Sequence, residues 1–246
     1  MVMMNRMNAR IKNKPQPDSR HCEYCMLTKT CHQQPEPDHC KHPSNPIKQQ
    51  SQHVKRNESL YTECDTFKCV YAVSSGAMKT FHIDLNGQEH VRNFYLPGEI
   101  IGLEGIQPGY YPYSATAIQD SVVCEIPFEE LLTFIAEEPA LQREFISTLG
   151  QRINQGNYLN TTTAEQRVAA FIIDLITRLN CNNTQLEVEL PMSRSDIGSY
   201  LGLAHETVSR IFTRFQKANY IAVKSKMISI LNIEQLRQIT QIANCN

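Results

Sequence analysis

The chain has 246 residues, of which 41% are hydrophobic, and its 24 basic and 25 acidic side chains give a formal net charge of −1. This length is sufficient for two compact domains, and the hydrophobic content is typical of a soluble globular protein. The sequence has no apolar run of membrane-spanning length and no signal-peptide core at its polar N-terminus, so we expect a cytoplasmic protein without a membrane partner.

The charge is unevenly distributed along the chain. Residues 1–59 carry ten basic and five acidic side chains, residues 60–160 carry five and 13, and residues 161–246 carry nine and seven. A mildly basic C-terminal module is compatible with contacts to phosphates, whereas the acidic middle discourages nonspecific wrapping of DNA.

The polar N-terminal segment contains a Cys-x2-Cys-x5-Cys motif formed by Cys22, Cys25 and Cys31. Nine cysteines in a cytoplasmic chain indicate metal or redox chemistry more than structural disulfides. Thiolates favour zinc or an iron–sulfur cluster, and a site with four cysteine ligands needs one more, for which Cys124 is the candidate. The motif alone also allows unliganded thiols or a zinc site completed by a neighbour. The neighbouring potential ligands are His21, His32, His39 and Cys40.

Prolines break up the segment between residues 32 and 59. Four of them interrupt a polar run, and prolines at that density exclude a regular helix. They are Pro35, Pro37, Pro43 and Pro46. We therefore predict that residues 1–59 form a cysteine-bearing arm followed by a polar linker.

Short apolar segments separated by turns predict a β-domain in residues 60–127. The Asn86-Gly87 pair is a strong hairpin signal. The predicted strands lie at about Val70–Val73, Met78–Ile83, Val91–Tyr95, Ala115–Ile118 and Val122–Ile126. Their spacing fits an antiparallel jelly roll.

Residues 128–160 have the pattern of a long helix. It could simply cover the β-domain, or it could be a dimerisation helix, because Ile146, Leu149 and Ile153 form an apolar seam that steps by three and then four residues. The next seam positions are Gly156 and Asn160, which add little apolar burial. We therefore predict a marginal dimer interface, which is suited to regulation.

Residues 161–246 predict a winged helix-turn-helix. A helix at Ala164–Leu179 precedes a Ser-x-x-Asp capping signal at Ser193. Gly202 permits a sharp turn into a second helix that begins at about His205. The predicted strands are Leu186–Leu190, Ile221–Val223 and Ile228–Ile230. The expected fold class is α+β.

The outward side chains of the second helix are candidates for contact with DNA, because the N-terminal residues of such a helix contact base edges. Arg210 suits a bidentate contact to guanine, Glu206 can accept from a cytosine or adenine amino group, and Ser209 can approach thymine. The candidate phosphate contacts are Arg214, Lys217, Ser193 and Arg194. The alternative is an ordinary amphipathic helical hairpin with a solvated polar face.

Three motifs resemble the FNR branch of the CRP/FNR superfamily of bacterial regulators. Residues 206–210 are similar to its Glu-x-x-Ser-Arg signature. The Cys-x2-Cys-x5-Cys spacing is similar to that near its N-terminus, and residues 122–128 are similar to its strand with a fourth cysteine. The resemblance covers nearly everything from residue 60 to residue 236. It implies a cyclic-nucleotide-binding-like jelly roll and an oxygen-labile [4Fe–4S] cluster on Cys22, Cys25, Cys31 and Cys124.

The same resemblance implies a homodimer that binds a palindromic operator with TTGAT-like half-sites and activates transcription. Contacts to RNA polymerase would come from residues 84–87 and 128–130. The chain lacks the Arg-Ser or Arg-Thr pair of the cyclic-nucleotide branch and has Tyr113-Ser114 instead, so we expect no cyclic nucleotide.

Residues 32–59 depart from the family, which normally has an amphipathic helix and a first strand there. Two rival functions stay open: a zinc-stabilised regulator without an oxygen response, and an iron–sulfur redox protein fused to a DNA-binding module. The sequence contains no nucleophile–base constellation and no phosphate-binding loop, so we expect no enzyme.

Overall fold

The structure is a computed structural model that describes residues 50–155, 163–179 and 187–240. In chain order its strands are β1 (Gln50–Val54), β2 (Ser59–Tyr61), β3 (Cys69–Ser75), β4 (Met78–Ile83), β5 (Glu89–Tyr95), β6 (Ile100–Ile101), β7 (Ser114–Ala117), β8 (Ser121–Pro127), β9 (Glu187–Glu189), β10 (Ile221–Lys224) and β11 (Met227–Ile230). Its helices are α1 (Phe128–Glu137), α2 (Pro139–Gln155), α3 (Ala164–Leu179), α4 (Arg194–Leu201), α5 (His205–Lys217) and α6 (Ile233–Thr240).

Strands β1 to β8 form the jelly-roll domain, two antiparallel four-stranded sheets. Their strand orders are β1-β8-β3-β6 and β2-β7-β4-β5. Successive side chains of a strand point to opposite faces. In β3, Tyr71 and Val73 therefore enter the apolar cluster to which both sheets contribute, whereas Val70 and Ala72 enter the cluster under the helices. The predicted α+β fold class is confirmed.

The jelly-roll domain begins earlier than the predicted boundary at residue 60. Strand β1 pairs with β8 from Gln50–Glu125 to Val54–Ser121, inside the segment expected to be a polar linker. Its sequence, QSQHV, has little apolar character, and Val54 is its buried apolar side chain. Backbone pairing with β8 holds such a strand without an apolar pattern, which explains why the sequence did not predict it.

The predicted single helix at 128–160 is two helices in the structure. Glu138, between α1 and α2, is extended, with φ −124° and ψ 96°. The residue before a proline is disfavoured in the helical region, and Pro139 is well suited to the first position of a new helix. Both helices cover the outer face of the β8–β3 sheet, because Leu131 and Leu141 share an apolar cluster with Ile126.

The C-terminal domain, residues 163–240, is a winged helix-turn-helix, as predicted. Its sheet has the order β10-β11-β9. A reciprocal capping box joins Ser193 and Asp196 at the start of α4, and Gly202 ends that helix in the left-handed region at φ 63°. A Cβ on Gly198 would lie 2.6 Å from the carbonyl oxygen of Leu203, so the turn between α4 and α5 is closely packed. Helix α6 was not predicted and packs on α3.

A buried ion pair joins the two domains. Arg178 of α3 donates to both carboxylate oxygens of Glu99, each at 2.7 Å, and to the carbonyl oxygen of Phe94 at 2.7 Å. It also pairs with Asp174 at 3.0 Å. Its side chain is 14% exposed. Within the described ranges, no helix is long and apolar enough to span a bilayer.

Replacement of Arg178 by methionine is expected to lower the free energy of unfolding by about 3 kcal/mol, because Glu99 and Asp174 would be left without this partner in a nearly dry interface. Urea denaturation of the full chain measures the change. The matched control is Arg237→Met, which removes an exposed pair with Glu234 and should cost no more than about 0.5 kcal/mol. Equal effects of the two variants would contradict a structural role for the Arg178 pair.

Candidate DNA-binding surface and cysteine site

Helix α5 presents a polar face with the candidate base-reading side chains. Val208, Ile211 and Phe215 are buried in the core of the C-terminal domain, which orients the helix. Glu206 and Arg210 are exposed on the opposite side, and Ser209 is partly exposed between them. The predicted trio therefore shares one accessible surface.

His205 also belongs to this surface, although it was not among the candidates from the sequence. It is the first residue of α5, its side chain is 60% exposed, and its Nδ1 atom lies 3.4 Å from Glu206 Oε2. Its position four residues before Ser209 places it on the same helix face. The four-residue spacing from His205 to Ser209 is the sequence signal by which His205 could have been predicted.

The candidate phosphate contacts differ in their surroundings. The Arg214 guanidinium is 65% exposed and pairs with Glu165 of α3 at 2.9 Å, whereas Lys217 is exposed at the end of α5. Arg214 must therefore share its charge between Glu165 and any phosphate. Within the described ranges, Arg210 has no ion-pair partner.

Ser193 and Arg194 have structural roles at the start of α4. The Ser193 hydroxyl accepts from the Asp196 amide at 3.0 Å and donates to Asp196 Oδ2 at 2.6 Å. The Arg194 guanidinium stacks 3.5 Å above the Phe212 ring of α5. Burial lowers the pKa of Arg194 to about 10, so the side chain stays charged at neutral pH. The Ser193 bonds cap α4 and the Arg194 contact joins α4 to α5, and a DNA contact by either residue stays a prediction.

Cys124 lies in the middle of β8, in register with Ala72 of β3 and Ser51 of β1. It is 9% exposed and belongs to the apolar cluster with Leu131 and Phe145, so its thiol faces the helices α1 and α2. The other three predicted ligands, Cys22, Cys25 and Cys31, lie outside the described residues. In the described ranges, no group of three or more His, Cys, Asp or Glu side chains could hold a metal ion.

Cys69 occupies the neighbouring strand but faces the opposite side of the sheet. Its thiol donates to Glu125 Oε1 at 3.2 Å and belongs to the cluster inside the jelly roll. Burial raises the pKa of Cys69 to about 11, and the hydrogen bond to Glu125 acts in the same direction. Cys69 is therefore a protonated thiol that cannot replace Cys124 from this side of the sheet.

The predicted dimer seam lies on α2. Ile146 is 61% exposed, whereas Leu149 is partly buried against the apolar cluster beneath α1 and α2. The side chain of Ile153 lies outside the described part of the chain. The seam stays a prediction, and Ile146 is its accessible apolar member.

Several tyrosine side chains belong to the apolar cluster inside the jelly roll. Tyr61 and Tyr111 stack with ring centroids 3.8 Å apart, and Tyr95 donates to Glu104 at 2.5 Å. Tyr113 stands where the cyclic-nucleotide branch has its arginine. The guanidinium carbon of Arg92 lies 5.2 Å from the centroid of the Tyr113 ring. The absence of cyclic-nucleotide binding stays a prediction.

The jelly roll, the covering helices and the exposed second helix of the helix-turn-helix, α5, define a DNA-binding transcription regulator in which α5 is the recognition helix. A family model for the Crp-like helix-turn-helix domain matches residues 166–239, and one for the cyclic nucleotide-binding domain matches residues 51–138. With these matches and the relatives below, the chain belongs to the FNR-type branch of the CRP/FNR family, and it is a regulator rather than an enzyme.

Curated relatives and solved structures agree with this assignment. The chain is 36% identical over 217 residues to the transcriptional activator protein FnrA of Stutzerimonas stutzeri, covering 86% of this chain and 89% of FnrA. It is 34% identical over 224 residues to the fumarate and nitrate reduction regulatory protein of Escherichia coli, covering 89% and 90%. The structure of FixK2 from Bradyrhizobium japonicum is similar, with a TM-score of 0.70 and 26% identity, and covers 78% of this chain and 98% of FixK2.

Replacement of Arg210 by alanine is expected to weaken operator binding by about 1–3 kcal/mol and to relax specificity at one base pair, because an exposed and unpaired guanidinium suits guanine. Fluorescence anisotropy against operators with single substitutions measures both effects. The matched control is Lys217→Ala, which should weaken binding to all sequences equally. A uniform loss with Arg210→Ala would show a phosphate contact instead.

Proposed function

We propose that this chain is an oxygen-sensing transcriptional activator in which Cys22, Cys25, Cys31 and Cys124 hold a [4Fe–4S] cluster. The relatives that cover most of the chain are named as FNR-type regulators, which supports an iron–sulfur regulator of this type. The observation that carries the proposal is the location of Cys124, a cysteine at the centre of a strand beneath the covering helices.

The surroundings of Cys124 fit a cluster ligand. The thiol lies among Leu131, Ile135 and Phe145, and an apolar shell limits the access of solvent to a metal site. The chemistry of the donors also fits, because thiolates are the usual ligands of iron–sulfur clusters. When bound, the cluster would supply the oxygen-sensitive chemistry. The protein would supply Cys124 from a rigid strand and the three remaining thiolates from the N-terminal arm.

Binding of two half-sites by a homodimer would connect this chemistry to DNA. Two recognition helices bound together outcompete one because the second binding event is intramolecular. Ile146, exposed on α2, supports an apolar dimer contact at this position. The Glu206, Ser209 and Arg210 trio would read TTGAT-like half-sites.

The tip of the β4–β5 hairpin, with Leu85 fully exposed, would contact RNA polymerase.

Protein purified without oxygen is expected to contain four irons and four acid-labile sulfides per chain and to lose its visible colour in air. Cys124→Ser should lower the iron content and abolish the oxygen dependence of operator binding. The matched control is Cys69→Ser, a buried thiol on the opposite face of the same sheet, which should retain both properties.

Metal analysis separates the proposal from its rival. Zinc without sulfide would establish the zinc-stabilised regulator, and it would leave the DNA-binding function unchanged. Normal iron and sulfide in Cys124→Ser would refute the ligand role of this residue.

Replacement of Ile146 by glutamate is expected to weaken the anaerobic dimer by at least about tenfold, since a charge would be buried against the partner helix. Analytical ultracentrifugation without oxygen measures the dissociation constant. Ser147→Glu is the matched control, because it adds the same charge at an exposed neighbouring position on the flank of the helix. An equal effect of the two variants would contradict a seam through Ile146.

A further inference from the structure

Lys79 of β4 reaches from the jelly-roll domain into the C-terminal domain. Its Nζ atom lies 2.5 Å from Glu89 Oε1 on β5 and 2.7 Å from Asp196 Oδ1 on α4. The side chain is 13% exposed. Burial opposes its charge, but the hydrogen bonds to Asp196 and Glu89 hold the pKa of Lys79 above its ordinary value. A charged ammonium therefore bridges two carboxylates at the domain interface.

Asp196 connects this bridge to the start of the helix-turn-helix. The second oxygen of the same carboxylate accepts from the amide and hydroxyl of Ser193, which closes the capping box of α4. Lys79 therefore holds the residue that defines the N-terminus of the first helix. The Lys79 contact therefore ties that end of α4 to β4.

Ser199 supplies a second anchor nearly one turn further along α4. Its hydroxyl accepts from the Val91 amide at 2.8 Å and donates to the Glu89 carbonyl oxygen at 3.1 Å. Residues 196 and 199 lie three positions apart and therefore share a helix face. Two directional contacts on one face fix both the position of α4 along β5 and its rotation about its own axis.

The orientation of α4 determines that of the recognition helix. The turn between α4 and α5 is short, and the Leu203 amide donates to the Gly198 carbonyl oxygen at 2.8 Å. Arg194 of α4 stacks on Phe212 of α5, so the two helices move as one body. A tilt of α4 on β5 would change the direction in which Arg210 points.

We propose that Lys79 is a positioning residue for DNA binding, which holds the recognition helix at the orientation that a palindromic operator requires. The proposal rests on the proposed binding of two half-sites by a homodimer. Without Lys79, the carboxylates of Glu89 and Asp196 would face each other without a neutralising charge, and their repulsion would push α4 away from β5. The recognition helix of each protomer could still enter one major groove. The two recognition helices of the dimer would, however, lose their fixed orientation relative to each other.

The test compares two duplexes with the full chain, purified and assayed without oxygen. One duplex carries the palindrome with TTGAT half-sites, and the other carries a single half-site. Lys79→Met is expected to lower affinity for the palindrome about tenfold and to change half-site affinity less than twofold. It should also reduce the preference for correct half-site spacing over a spacing changed by two base pairs. Lys55→Met is the matched control, because it removes the same charge from an exposed position of the jelly-roll domain.

Two further variants test the proposal, and the second, Ser199→Ala, keeps it refutable if Lys79→Met unfolds. Lys79→Met combined with Glu89→Gln removes one repelling carboxylate and should recover most of the lost palindrome affinity. Ser199→Ala removes the second anchor, so it should also lower the affinity for the palindrome more than the affinity for the single half-site. Equal losses on both duplexes, or no loss on either, would overturn the proposal. Failure of the unmodified protein to prefer the palindrome would instead overturn the proposed dimeric binding itself.

Discussion

A continuous apolar core joins the jelly-roll domain to the C-terminal domain, and the placement of the recognition helix depends on it. The ring centroid of Phe94 on β5 lies 6.1 Å from that of Phe171 and 5.3 Å from that of Tyr200. Such contacts stabilise the interface without strong directionality, because apolar burial scales with area. Orientation comes from the polar contacts at its edge, where Arg178 and Lys79 are nearly buried and must keep their partners.

The same interface leaves the predicted DNA-contacting side chains of α5 exposed. Helix α4 uses its polar residues for docking, whereas α5 keeps Glu206 and Arg210 exposed. The arginines of the C-terminal domain divide accordingly: Arg178 is bound in the interface, and Arg210 has no ion pair within the described residues. A guanidinium that is already paired inside the protein gains less from a base, so this division is compatible with the predicted base contact of Arg210.

Sequence patterns predicted the elements whose stability is local. The capping box at Ser193 and the Asn86-Gly87 turn gave α4 and the β4–β5 hairpin close to their observed bounds. Strand β1 was missed because pairing with β8, distant in the sequence, holds it. Pro139 by itself indicates a helix boundary, but the apolar pattern continues across it, so a single helix was predicted. The Lys79 contact to Asp196 joins residues 117 positions apart, and no local pattern indicates such a pair.

The layer that surrounds Cys124 places the proposed sensor chemistry next to the proposed dimer helix. Cys124 shares its apolar cluster with Leu141 and Phe145 of α2. Ile146 follows Phe145 directly, and Leu149 lies one turn beyond it and packs against the same cluster. Close-packed interiors transmit small displacements because they contain few voids. A change in what Cys124 binds would therefore reach Leu149 and the exposed Ile146 of the proposed seam within one helical turn, without passing through the interior of the jelly roll.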